Sequence, residues 1–177
     1  MAATGVVALM CVFLVIAQAE LMGKTNFVVT KVGTCPQNSS GDIDFKSIKL
    51  YKINRDSFID ADIISKIPFD DKLKLTMKFS QWLNGGFKPR LSMPVGGVCS
   101  GLKTALPGMF KTVTTMVHAS DCPLPPSNYS LRKFSANFEI TLPVPTGKYR
   151  SAMLFFKNDQ LIGCVLGEAN AFPKKSG

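Results

Sequence analysis

The chain has 177 residues, with 21 Lys and Arg against 12 Asp and Glu and a formal net charge of +9. A hydrophobic fraction of 46% is too high for a disordered chain, and the length suits one domain of about 150 residues rather than two. A single histidine, His118, excludes most histidine-based metal and triad chemistry.

The N-terminus is an apolar block over 5–16, followed by the small-x-small sequence Ala17-Gln18-Ala19 that signal peptidase reads. The run falls short of the ~20 apolar residues that a membrane span needs. A removed signal peptide over 1–19 is therefore expected, leaving 20–177 as a single domain. Cys11 would leave with it. Cys35, Cys99, Cys122 and Cys164 remain, an even number that in an exported chain points to two disulfides, with three connectivities open. Zinc would ask for close Cys pairs or paired His ligands, and neither exists. The sequons at Asn38 and Asn128 are glycosylation acceptors consistent with export.

In chain order, short β-type runs stand at 27–32, 43–53, 58–64, 72–79 and 87–93. In the fourth, Leu73, Leu75, Met77 and Phe79 alternate with Lys72, Lys74, Thr76 and Lys78, the period of a half-buried antiparallel strand. Asn84-Gly85-Gly86, which tolerates positive φ, predicts a hairpin between the fourth and fifth runs. A short helix is expected over 98–110, where Cys99, Leu102, Leu106 and Phe110 are spaced helically and Pro107-Gly108 should end it early. The proline-rich 120–127 reads as a loop. Three further strands follow at 134–142, where Phe134, Ala136, Phe138, Ile140 and Leu142 alternate, and at 149–157 and 161–169. The turns Pro145-Thr146-Gly147 and Lys157-Asn158-Asp159 separate them. This rhythm predicts an all-β, antiparallel two-sheet sandwich with one short helix.

No catalytic constellation appears. There is no G-x-S-x-G elbow, His118 lies among Thr115, Met116, Val117 and Ala119, and no glycine loop is followed by the Lys-Ser/Thr of a phosphate cradle. Asp56, Asp60 and Asp62 lack the Gly and terminal Glu of a calcium loop and read as a solvated strand face. No cofactor, no metal and no enzymatic activity are expected. Lys72, Lys74, Lys78, Lys88 and Arg90 would come together on the expected hairpin and draw it to an anionic membrane surface, unless they only solvate an outer face. Nucleic acid is not an expected partner of an exported, disulfide-bonded chain. Thirteen Phe and eight Met against three Tyr and one Trp make a soft apolar pool, suited to a core or to an adaptable lipid-sized space.

Cys122-Pro-Leu-Pro-Pro-Ser-Asn-Tyr129-Ser-Leu131, Phe134, Leu142-Pro-Val-Pro145-Thr-Gly147-Lys-Tyr149-Arg150 and Gln160-Leu-Ile-Gly163-Cys164-Val165 together resemble the ML-domain lipid-recognition superfamily, most of all its ganglioside activators. The resemblance covers about the last third of the chain. It implies an immunoglobulin-like β-cup with an apolar cavity between the sheets, and the disulfides Cys35–Cys164 and Cys99–Cys122. It also implies a secreted or lysosomal lipid-binding or lipid-transfer protein, one that could present a glycolipid to a lysosomal glycosidase. On that reading Leu75, Met77, Phe79, Phe134, Phe138 and Phe155 line the cavity, and Trp82, Phe87, Met93 and Phe110 form a mobile apolar mouth. The other reading is a secreted interaction module or receptor ligand of the same fold with no obligatory lipid.

Overall fold

A computed structural model describes residues 25–36, 41–54, 56–105, 107–140 and 144–173. The expected signal peptide, the Asn38 sequon, residues 141–143 and the tail beyond 173 lie outside the described residues, as does the side chain of Phe138.

Nine strands and two helices are present among the described residues: β1 (Thr25–Thr34), β2 (Ile43–Ile53), β3 (Asp56–Ser65), β4 (Lys74–Leu83), β5 (Gly86–Gly97), α1 (Val98–Ala105), α2 (Pro107–Met116), β6 (Ser127–Ser135), β7 (Asn137–Ile140), β8 (Gly147–Lys157) and β9 (Gln160–Pro173). A six-stranded sheet in the order β5-β4-β8-β9-β1-β7 faces a three-stranded sheet in the order β2-β3-β6. All pairings are antiparallel. The fold is thus a two-sheet antiparallel sandwich, because runs of alternating polarity can bury one face only by stacking it on another sheet.

The turns follow from the residues that accept positive φ. Asn84 and Gly85, at φ 49° and 83°, close the two-residue β4–β5 hairpin, and Asn158 and Asp159, at 49° and 62°, close β8–β9. His118 has φ 52° just past the end of α2. There the Ala119 amide donates to the Thr114 carbonyl at 3.0 Å, so the one histidine takes a place in the helix C-cap.

Two expectations are corrected. The single helix over 98–110 is two helices, because Pro107 starts α2 instead of ending α1; a proline at the first helical position gives up an amide that has no intrahelical partner anyway. The expected strand 134–142 divides at Ala136, which is 1% exposed. Its amide donates to Ser57 in β3 and its carbonyl accepts from Val29 in β1, so the chain changes sheets there. Phe134 consequently belongs to the small sheet and Phe138 to the large one.

The core lies in two clusters. One gathers Ile43, Phe69, Leu75, Val98, Leu102, Phe110, Leu124, Tyr129, Phe155 and Ile162 beneath the helices. The other, around Phe27, Val29, Tyr149, Ala169 and Ala171, closes the far end. Both disulfides implied by the resemblance are formed. Cys35–Cys164 joins β9 to the end of β1 with Cα atoms 5.5 Å apart, and Cys99–Cys122 ties α1 to the proline-rich loop at 6.0 Å. In the chain-entropy account, closures spanning 129 and 23 residues are each worth several kcal/mol, roughly 3–5.

Candidate functional site: an open apolar face

Three strands cannot cover six. β2 lies over β1 and β9, β3 touches β7, and α1 covers the ends of β4 and β5. On the inner face of β5, β4 and β8, β2 meets β8 through Phe45 against Phe155, and the close strand-on-strand contacts of the two sheets lie over β1, β9 and β7. Register assigns the residues of that face: Leu75 pairs with Phe155, Met77 with both Met153 and Met93, Phe79 with Ser151 and Leu91, and Gln81 with Tyr149 and Lys88. Directly opposed residues share a face.

These rows run from apolar and sealed, through a partly exposed middle, to a polar row in which Gln81 and Tyr149 are buried again. At the helix end Leu75 is 1% and Phe155 4% exposed, and the Phe155 ring is flanked by Phe45 at 5.9 Å and Phe69 at 6.4 Å. One row on, Met77, Met93 and Met153 are only partly buried, and so is Phe79 beyond them. Leu91 is 48% exposed. A recess of about 290 Å³ lies at the edge bulge between β4 and β5, lined by Phe79, Arg90 and Leu91 together with Lys78, Ser80, Pro89 and Ser92, which register assigns to the outer face. On the facing sheet Ile48, Leu50 and Ile59 are also partly buried, and Phe134, paired with Ile59, is too.

The last row is polar. Gln81 is buried, and its side-chain carbonyl accepts a hydrogen bond from Arg90 Nε at 3.1 Å. Arg90 reaches this face because β5 bulges there: Phe79 pairs with Leu91 and Ser80 with Pro89, so Arg90 is the extra residue.

The expected site residues therefore separate. Leu75 and Phe155 are floor and fully packed. Met77, Phe79 and Met93 lie on the open face, joined by Met153 and Leu91, which sequence reasoning missed. Phe134 lies across from them on the small sheet, and Phe138 is placed by backbone alone, opposite Phe27 on β7. Phe110, expected at a mouth, is 8% exposed within the helix-capped core. Trp82 and Phe87, expected there too, are on the outer face of the large sheet at the hairpin tip, their rings edge to face at 5.0 Å. Lys148 Nζ stands 5.5 Å from the Trp82 ring, and the Arg150 guanidinium lies 3.9 Å over Phe87. Glu168 accepts from both cations at 2.8 Å, which holds its carboxyl below its ordinary pKa, through Lys148 first and Arg150 second.

The expected basic patch is dispersed by the same register. Lys78 faces outward, Lys88 and Arg90 face inward, and Lys74 is paired with Asp159 at 3.0 Å. On the outer face of the small sheet Asp62 accepts from Arg132, Ser130 and Ser47, and Asp60 from the Lys133 amide and Tyr51; each carboxyl is lowered by those bonds. The Asn128 sequon is exposed on that face. Among the described residues no group of three or more His, Cys, Asp or Glu could hold a metal ion.

No family model matches the chain, and no curated protein matches it. Among solved structures it is similar to a Niemann-Pick type C2 protein from the Japanese carpenter ant, at TM-score 0.41 and 11% identity over 80% of this chain and 98% of that one. It is also similar to chicken MD-1 complexed with lipid IVa, at TM-score 0.35 and 16% identity over 85% and 97%. Likenesses this distant say nothing of what the present chain binds.

Proposed function

We propose that this chain is a lipid-binding protein that takes acyl chains against the open inner face of β5, β4 and β8. One observation carries the reading: Met77, Phe79, Met93 and Met153 lie side by side on the inner face of the large sheet and are still partly exposed. A sandwich that filled itself would bury those positions. Three of the four are methionines, whose flexible thioethers adapt to a chain of no fixed shape. Moving about 16 carbons out of water gains roughly 13 kcal/mol gross at ~0.8 kcal/mol per CH₂. A lipid already in a bilayer holds that gain, so exchange between membrane and protein is near balance on apolar terms, as a transfer protein requires.

Trp82, Phe87, Lys148 and Arg150 at the hairpin tip support docking on an anionic membrane, because an exposed aromatic pair beside cations suits the headgroup region. Removal of residues 1–19, secretion or lysosomal delivery of 20–177, glycans on Asn38 and Asn128, and presentation of a glycolipid to a glycosidase belong to the same reading. Native mass spectrometry of the protein expressed through a secretory pathway tests it. Lipid adducts that organic extraction removes are expected. Protein that arrives empty and takes up no fatty-acid probe after extraction overturns the reading.

A further inference from the structure

The open face ends in cations. Arg90 and Lys88 lie at the end of the row that begins with Leu75, beyond Phe79 and Leu91. Arg90 is an exposed side chain whose orientation is nonetheless fixed: Gln81, 7% exposed, accepts from its Nε at 3.1 Å. That bond leaves the two terminal nitrogens of the guanidinium, four N–H donors in one plane, for another acceptor. Among the described residues no carboxylate lies within ion-pair distance of Arg90 or Lys88, whereas the other two described arginines, Arg132 and Arg150, each have one. A pinned, unpaired guanidinium at the end of an apolar groove is complementary to a chain that ends in an anion.

We propose that the ligand of this groove is a long-chain amphiphile with an anionic head, such as a fatty-acid carboxylate, its chain on Met77, Phe79, Met93 and Met153 and its head on Arg90 and Lys88. The inference rests on the lipid-binding reading above and adds the class of lipid. Gln81 is a positioning residue: held from behind by Nε, the guanidinium presents its fork to the head without swinging into solvent.

Titration calorimetry on the oxidised, delipidated protein tests this with oleate, oleyl alcohol and inorganic phosphate, against the wild type and Arg90→Gln. Oleate is expected to bind about tenfold or more tightly than the alcohol, as a charge-assisted hydrogen bond implies. Arg90→Gln should weaken oleate by that factor and leave the alcohol unchanged. Equal binding of oleate and alcohol by both proteins overturns the anionic head and leaves the groove as a lipid site. Binding of phosphate as tight as that of oleate overturns the amphiphile in favour of a bare anion site. No binding of either chain removes the lipid-binding reading, and this inference with it. Since Arg90 is exposed, the substitution does not endanger folding.

Discussion

A Cβ built on Gly163 would stand 2.9 Å from Cβ of Ile43 and 3.2 Å from its carbonyl oxygen. The two sheets touch there, at the start of β2 and of β9, beside the helix-capped cluster. From that contact toward β4 and β5 the large sheet runs out from under the small one, so a glycine at the contact decides how near the sheets come where they are closed.

Gly163→Ala should therefore destabilise by about 1–3 kcal/mol, the cost of overpacking a tight contact. Urea unfolding followed by Trp82 emission, the chain having one tryptophan, measures it. An unchanged midpoint would mean that the sheets part freely and that this contact does not set their spacing.

Floor and groove should answer differently to truncation. Leu75→Ala or Phe155→Ala empties a packed site and should cost about 2–5 kcal/mol. Met77→Ala removes a side chain that is already partly exposed and should cost under about 1 kcal/mol while weakening lipid. If Met77→Ala costs as much as Leu75→Ala, the groove is core.

Tyr129 donates its hydroxyl to the carbonyl of Pro125, and Tyr149 donates to Pro145 at 2.8 Å, each tying a strand to a proline four residues earlier. Burial pushes the Tyr129 pKa up to about 12. The native state favours the neutral phenol, so this contribution to stability is whole below the ordinary value of 10.0 and is lost as pH rises toward about 12. An ultraviolet phenolate titration should show a late step that Tyr129→Phe removes, and the variant should be about 1 kcal/mol less stable at neutral pH. If all three tyrosines ionise together near 10.0, Tyr129 is not held as described.

Most strands were legible, because a sheet with one wet face writes its period of two into the sequence: Ile43–Ile53 and Gly147–Lys157 stand almost where alternation put them. β6 was missed although Tyr129 and Leu131 alternate with Asn128 and Ser130, because the prolines just before it read as loop. The division at Ala136 left no mark, since Phe134 and Phe138 keep the same alternation on either side of it. The role of Arg90 was illegible for a physical reason. A bulge adds one residue and so resets which side chains share a face, and nothing in Lys88-Pro89-Arg90-Leu91 fixes where the extra residue goes.

Asp71 caps α1 from outside the helix. Its carboxylate accepts from the Ser100 amide at 2.8 Å and from the Ser100 hydroxyl, and these bonds hold its pKa below the ordinary value. A Cβ on Gly97 would collide with the Asp71 carboxylate, so the cap requires that glycine. Asp71→Ala should cost about 1 kcal/mol at neutral pH. At acid pH the difference between wild type and variant should shrink, as the wild-type carboxyl becomes protonated. A difference independent of pH would mean that the charge takes no part in the cap.

Glu168 gives a local acid response that Trp82 can report. With its pKa lowered by Lys148 and Arg150, its contribution is complete above the ordinary 4.5 and is lost as pH falls through the lower folded value. Trp82 emission should stay constant from pH 7 to about 5 and change only below about 4.5, when protonation frees the two cations packed on the Trp82 and Phe87 rings. Glu168→Gln should show the altered emission already at neutral pH and lose the acid step. Because the variant releases two cations beside an exposed indole, it should also bind anionic vesicles at least as well as the wild type, while Trp82→Ala should bind them several-fold more weakly. Equal partitioning of Trp82→Ala and wild type in a vesicle sedimentation assay would remove the hairpin tip as the membrane-docking edge and leave the groove on the opposite face of the sheet untouched.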